Sequence, residues 1–168
     1  ASAGEQYDLI IEAMTMTSGA SNQPYQLNLS GFIPDPHESN DDRKTATFWD
    51  LTQGPIQGYF WDKTTGRSDY FRFVAPQTAP GTPVTFELTN PAPNMRIRMT
   101  LINSIGLFQA NTPYSEQGQP LVFSKALTPN MEYYLKLECL DLKTSLQPYT
   151  LSVTYAPGSA QTETQTNA

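Results

Sequence analysis

Across most of this chain apolar and polar residues take turns, one for one. In the run from Met95 to Ile102, the residues Met95, Ile97, Met99 and Leu101 occupy every second position and leave Arg96, Arg98 and Thr100 between them. A period of two places the two sets on opposite faces of an extended strand, one face apolar and one wet. Val84, Phe86 and Leu88 repeat the pattern, and Phe71 and Phe73 point one way while Tyr70 and Arg72 point the other. Strands are expected at Tyr7 to Ala13, Tyr25 to Ser30, Ile56 to Trp61, Tyr70 to Ala75, Pro83 to Leu88, Met95 to Ile102, Leu121 to Lys125, Glu132 to Cys139 and Tyr149 to Tyr155. Most of the 14 prolines fall between these runs, as turn punctuation should. The pattern is that of an all-β sandwich or barrel. A single short helical turn is expected from Asp42 to Phe48, behind the capping pair Asn40 and Asp41.

The 168 residues suit one domain, or one domain with an appendage. Sixteen acidic residues against ten basic ones leave a net charge of -6, which argues against tracking phosphates, so no nucleic-acid partner is expected. Only 15% of residues are charged, and the abundance of Thr, Ser, Gln, Asn and Tyr suits polar uncharged sheet faces and an extracellular setting. No window is long and apolar enough to span a bilayer. The opening residues Ala1, Ser2, Ala3 and Gly4 carry no leader pattern, so any secretion signal is expected to have been removed. Cys139 is the one cysteine and His37 the one histidine. That excludes an internal disulfide and a multi-histidine metal site.

A partial repeat links the two ends of the chain. Tyr7-Asp-Leu-Ile-Ile-Glu-Ala13 resembles Tyr133-Tyr-Leu-Lys-Leu-Glu-Cys139, and Pro24-Tyr-Gln-Leu-Asn-Leu-Ser30 resembles Pro148-Tyr-Thr-Leu-Ser-Val-Thr154. Each copy reads as strand, polar loop and strand, so residues 1–33 are expected to carry a second version of the closing hairpin. Chance similarity between short alternating runs is the other reading. A lone hairpin is marginal in water, so the apolar face formed by Tyr7, Leu9, Ile11, Leu27 and Leu29 needs a cover. The main sandwich is expected over 34–157. From Gly158 to Ala168 there is no large apolar residue, and that composition predicts a disordered polar tail.

Several segments together resemble the bacterial pre-peptidase C-terminal (PPC) domain family. They are Glu38-Ser-Asn-Asp-Asp-Arg-Lys-Thr-Ala46, Gly54, Ile56-Gln-Gly-Tyr-Phe60 and Ser68-Asp-Tyr-Phe-Arg-Phe73, followed by Val84 to Leu88, Tyr133 to Glu138 and Tyr149 to Val153. The resemblance runs over roughly residues 36 to 156, with Ser39 where the family usually has proline. It implies an antiparallel jelly-roll-like β-sandwich that is secreted, non-catalytic and often attached to exported peptidases. It also implies that Tyr7 to Ser30 descends from the closing hairpin of a preceding unit.

Some relatives, including the collagen-binding domains of collagenases, hold calcium at the segments matching Glu38, Asn40, Asp41, Asp69 and the backbone carbonyl of Tyr70. Calcium as a cofactor is therefore an expectation carried by the resemblance, and its chemistry suits clustered carboxylate, amide and carbonyl oxygens. Pro36 and Gly66 stand where those relatives carry further acidic ligands, and Asp35 is the nearby substitute. The same residues have a structural reading, with Asn40 and Asp41 capping a turn and Asp69 accepting backbone N–H groups.

No Gly-x-Ser-x-Gly elbow or His-Glu-x-x-His pair accompanies His37, so catalysis is not expected. Cys139 sits at an inward strand position and reads as a small buried hydrophobe. Trp49 and Trp61 are either packing residues or surface aromatics for a carbohydrate or protein. Asn28-Leu29-Ser30 is a formal glycosylation acceptor at Asn28. The function expected is a secreted structural protein whose partners are copies of itself, joined by β-strand addition into a filament or array. The alternative is a substrate-binding accessory domain of a secreted peptidase that grips an extracellular polymer.

Overall fold

The computed structural model describes residues 35–60, 68–141, 145 and 147–157. Trp61, Asn28, the repeat residues Tyr7, Leu9, Ile11, Leu27 and Leu29, and the segment 158–168 lie outside them. Nine strands are present: β1 (Thr47–Phe48), β2 (Ile56–Gly58), β3 (Ser68–Val74), β4 (Pro83–Thr89), β5 (Ile97–Asn103), β6 (Phe108–Asn111), β7 (Leu121–Ala126), β8 (Glu132–Cys139) and β9 (Tyr149–Thr154). They build a five-stranded sheet in the order β1-β3-β8-β5-β6 and a four-stranded sheet in the order β2-β9-β4-β7. All pairings are antiparallel except β1 with β3. The fold is an all-β sandwich.

The alternation read from sequence sets the two faces. Phe71 and Phe73 of β3, Phe86 and Leu88 of β4, Met99 and Leu101 of β5, Leu135 and Leu137 of β8, and Leu151 of β9 are fully buried between the sheets. Trp49 is only 2% exposed, with its ring against Phe71 and Phe86 and its Nε1 donating to the Gly54 carbonyl at 3.3 Å. This corrects its candidacy as a surface aromatic. Cys139 is buried, as its inward position predicts.

Sheet membership corrects a second expectation. Strands β8 and β9 do not form a hairpin. β8 lies between β3 and β5 in one sheet, and β9 lies between β2 and β4 in the other. Every connection in chain order crosses from sheet to sheet except β5 to β6. Alternation specifies which side chains point inward, but it carries no information on which sheet receives the strand.

The helical turn expected from Asp42 to Phe48 is absent. The Asp42 carboxylate accepts the N–H groups of Lys44 at 2.6 Å and Thr45 at 3.1 Å, closing a side-chain turn that competes with a helix. The chain then extends, and Thr47–Phe48 pairs alongside Phe71 and Arg72. Strand β6 was not anticipated because it does not alternate. Three of its four residues are exposed, and its pairing with β5 is interrupted by a bulge.

Candidate functional site

At one end of the sandwich the inward row of β3 contains an acid. Asp69 follows the parity of Phe71 and Phe73, so its carboxylate points between the sheets, where it is fully buried. Tyr149 enters from β9 in the opposite sheet and donates its hydroxyl to Asp69 Oδ2 at 2.5 Å. This hydrogen bond joins the two sheets through the core. Gly58, opposite Tyr149 in the β2–β9 register, makes room for the ring. A Cβ at Gly58 would stand 2.6 Å from Tyr149 Cζ and closer still to the hydroxyl.

The loop before β1 folds over this pair. Asp35, also buried, accepts the His37 N–H at Oδ1 (2.8 Å) and the Tyr59 N–H at Oδ2 (2.6 Å), which ties the loop to the end of β2. Asn40 is 1% exposed, and its carbonyl accepts the Tyr70 N–H at 2.8 Å. Because a strand residue presents its N–H and C=O toward the same edge, the Tyr70 carbonyl faces that side as well. Asn40 N–H lies 3.4 Å from Glu38 Oε2. The structure thus brings Asn40, Asp69 and Tyr70 together.

Electrostatics ties the remaining acids to the same place. Burial pushes the Asp69 carboxyl well above the ordinary carboxylate range. The Tyr149 hydrogen bond opposes this, and the nearby charges of Asp35, Glu38 and Asp41 add to the rise. Burial, then the charge and hydrogen bond of Asp69 and the charges of Asp35 and Glu38, hold the Tyr149 hydroxyl well above its usual range, so it remains a neutral donor.

Three side-chain atoms here are buried without a hydrogen-bond partner among the described residues: Asn40 Oδ1, Asn40 Nδ2 and Asp69 Oδ1. Leaving such groups dry is costly. Two of the three are oxygens of the kind calcium prefers, next to a gathering of carboxylates and a strand carbonyl. The donor set fits a hard divalent cation. Two softer donors among the described residues are engaged elsewhere: the His37 ring packs T-shaped with Phe71, and Cys139 donates to the Asp141 carbonyl. Among the described residues, no group of three or more His, Cys, Asp or Glu side chains is placed to hold a metal ion. Any ion here would draw on amide and main-chain oxygens too.

A pH effect follows from Asp69. Without metal, the folded protein keeps a proton that the unfolded chain loses near pH 4. The native state then binds more protons, and stability falls as pH rises from about 4 through the raised value of Asp69. In chelator, the melting temperature of the unaltered chain is expected to decline from pH 5 to pH 8 more steeply than that of Asp69→Asn. Parallel curves would disprove the assignment.

Among the described residues, this site holds no nucleophile hydrogen-bonded to a histidine base. A separate cleft, lined by Phe48, Leu51, Val74, Pro76 and Tyr155, holds one carboxylate, Asp50. That group accepts the Thr52 N–H and hydroxyl at 3.0 and 2.7 Å.

No protein-family model matches the chain, and no curated protein matches it in sequence. Solved structures similar to it include the pre-peptidase C-terminal domain of a collagenase from Bacillus anthracis, at 17% identity and a TM-score of 0.45 over 65% of this chain and 94% of that one. A surface-associated copper-binding protein of Methylomicrobium album is similar at 10% identity and a TM-score of 0.47, over 66% of this chain and 98% of that one. The Yersinia pseudotuberculosis-derived mitogen is similar at 12% identity and a TM-score of 0.38, over 68% and 94%.

Proposed function

We propose that the sandwich is a non-catalytic, PPC-like binding module of an exported protein, and that it takes up calcium at the loop cluster of Glu38, Asn40, Asp41, Asp69 and the Tyr70 carbonyl, with Asp35 beside them. The observation that carries this reading is the pair of buried, unsatisfied oxygens, Asn40 Oδ1 and Asp69 Oδ1, inside a group of acids. A bound calcium would satisfy both oxygens and compensate the crowded negative charge. It would also clamp the 35–41 loop onto β3, which is a structural role for the ion.

Calorimetric titration of the intact chain with calcium tests the proposal. Uptake of one ion is expected, with a stabilisation of about 2.7 kcal/mol when calcium exceeds its dissociation constant a hundredfold. Asp69→Asn and Asn40→Ala should each reduce the heat and the stabilisation. An unchanged melting temperature with no heat would end the calcium assignment.

Self-association by β-strand addition is the second reading, favoured by edge strand β6 and the exposed Ile105, Leu107 and Phe108 at and before it. Its donor segment, residues 7–30, lies outside the described residues. Ordered filaments in electron micrographs of the intact chain that vanish on deletion of residues 1–30 would move this reading to first place.

A further inference from the structure

The outer face of the five-stranded sheet carries a row of large side chains, one from each strand. The pairings Phe48↔Arg72, Arg72↔Tyr134, Tyr134↔Ile102 and Ile102↔Phe108 place these five residues in a line across β1, β3, β8, β5 and β6. Aromatic rings occupy the first, third and fifth positions. With strands about 4.8 Å apart, they recur every ~10 Å and span about 19 Å. The outer two are conspicuously open to solvent, Phe48 at 53% and Phe108 at 61% exposed.

Arginines accompany the rings. The Arg72 guanidinium lies 5.3 Å from the centre of Phe48, and that of Arg43 lies 5.7 Å from the centre of Tyr134. Arg72 engages Glu132 through one of its nitrogens, whereas Arg43 forms no ion pair among the described residues. Arg43, Arg72, Arg98 and Lys136 stand on this face, and among the described residues the ion pairs of the last three run to two acids, Glu132 and Glu138. An acidic chain therefore carries a cationic sheet face.

We propose that this row is a docking surface for an extended acidic polysaccharide built of uronate residues. In a β-linked glycan whose successive rings are flipped, every second sugar shows the same apolar face. That repeat is close to two strand spacings, so alternate sugars would meet Phe48, Tyr134 and Phe108. Adjacent strands rotate by about 20–25°, and such glycans form twisted ribbons that can follow the row. The planar guanidinium forks of Arg43 and Arg72 match carboxylates in two-point hydrogen bonds. Charge complementarity selects an anionic glycan over a neutral one. The proposal is independent of the calcium cluster.

The test is calorimetry of the intact chain with β-linked mannuronate oligomers, against neutral manno-oligomers of equal length. Binding of the uronate is expected, weakening as salt is raised, with the neutral oligomer at least tenfold weaker. Phe48→Ala, Phe108→Ala and Arg43→Gln should each weaken uronate binding about tenfold. All three side chains sit at the surface, so melting temperatures should barely change. No uronate binding, equal binding of the neutral oligomer, or unaltered affinity in the three variants would overturn the proposal. A dimer of the intact chain that dissociates on Phe108→Ala would also overturn it, reassigning the row to a contact between copies.

Discussion

Gly58→Ala is expected to destabilise the sandwich by about 3 kcal/mol, at the upper end for inserting one methyl into a packed interior, because a hydrogen bond is displaced with it. The new Cβ would overlap the Tyr149 ring and its hydroxyl. Tyr149 is among the largest fully buried side chains and has Phe60 against it, with ring centres 5.2 Å apart. The ring can move only by pulling its hydroxyl away from Asp69, which leaves that carboxylate without its sheet-to-sheet donor. Urea titration reads the loss. Adding Tyr149→Phe removes the nearest clashing atom, so the double variant should lose less than the sum of the two single losses. Strict additivity would mean that Gly58 and Tyr149 are not coupled.

Phe86→Ala is expected to cost about 3–5 kcal/mol, the usual range for emptying a buried phenylalanine site. Phe86 is fully buried at the centre of the core, with its ring against Trp49, Phe73 and Phe123. These neighbours come from both sheets and from the loop after β1, so no single element can collapse into the space. Phe108→Ala removes the same atoms from an exposed position and should change stability by less than about 0.5 kcal/mol. Chemical denaturation of the two variants side by side checks the contrast. Similar losses would contradict the burial pattern.

The Asp69 site shows why a carboxylate at a core position could be recognised before its partners. Asp-Tyr-Phe-Arg-Phe places an acid on the same parity as two phenylalanines, so its inward direction was legible from alternation alone. Asn40 was a candidate only through the resemblance of Glu38-Ser-Asn-Asp41 to the corresponding segment of the PPC family. The roles of Tyr149 and Gly58 were not legible, since Tyr149 is 80 residues from Asp69 in sequence and Gly58 looks like any strand glycine. An apolar-looking tyrosine in a strand gives no sign that its hydroxyl meets an acid of the facing sheet.

Strand β1 failed to show for a related reason. The Asp42 side chain closes a turn, which a capping residue also does at a helix start, and only the presence of β3 alongside decides that the chain runs on extended. The row from Phe48 to Phe108 was equally hidden. Its five members come from five strands and become neighbours only through register.

By itself, the amino-acid order determined the all-β class, the approximate positions of the longer strands and the side chains that face inward, because a period of two is a local property of extended backbone. Tertiary structure decided which sheet each strand joins. It thereby brought Tyr149 to Asp69, turned β8 and β9 into an arch between sheets and aligned the outer aromatic row. Those outcomes depend on pairing between residues far apart in the chain, where each strand could satisfy its own alternation in either sheet.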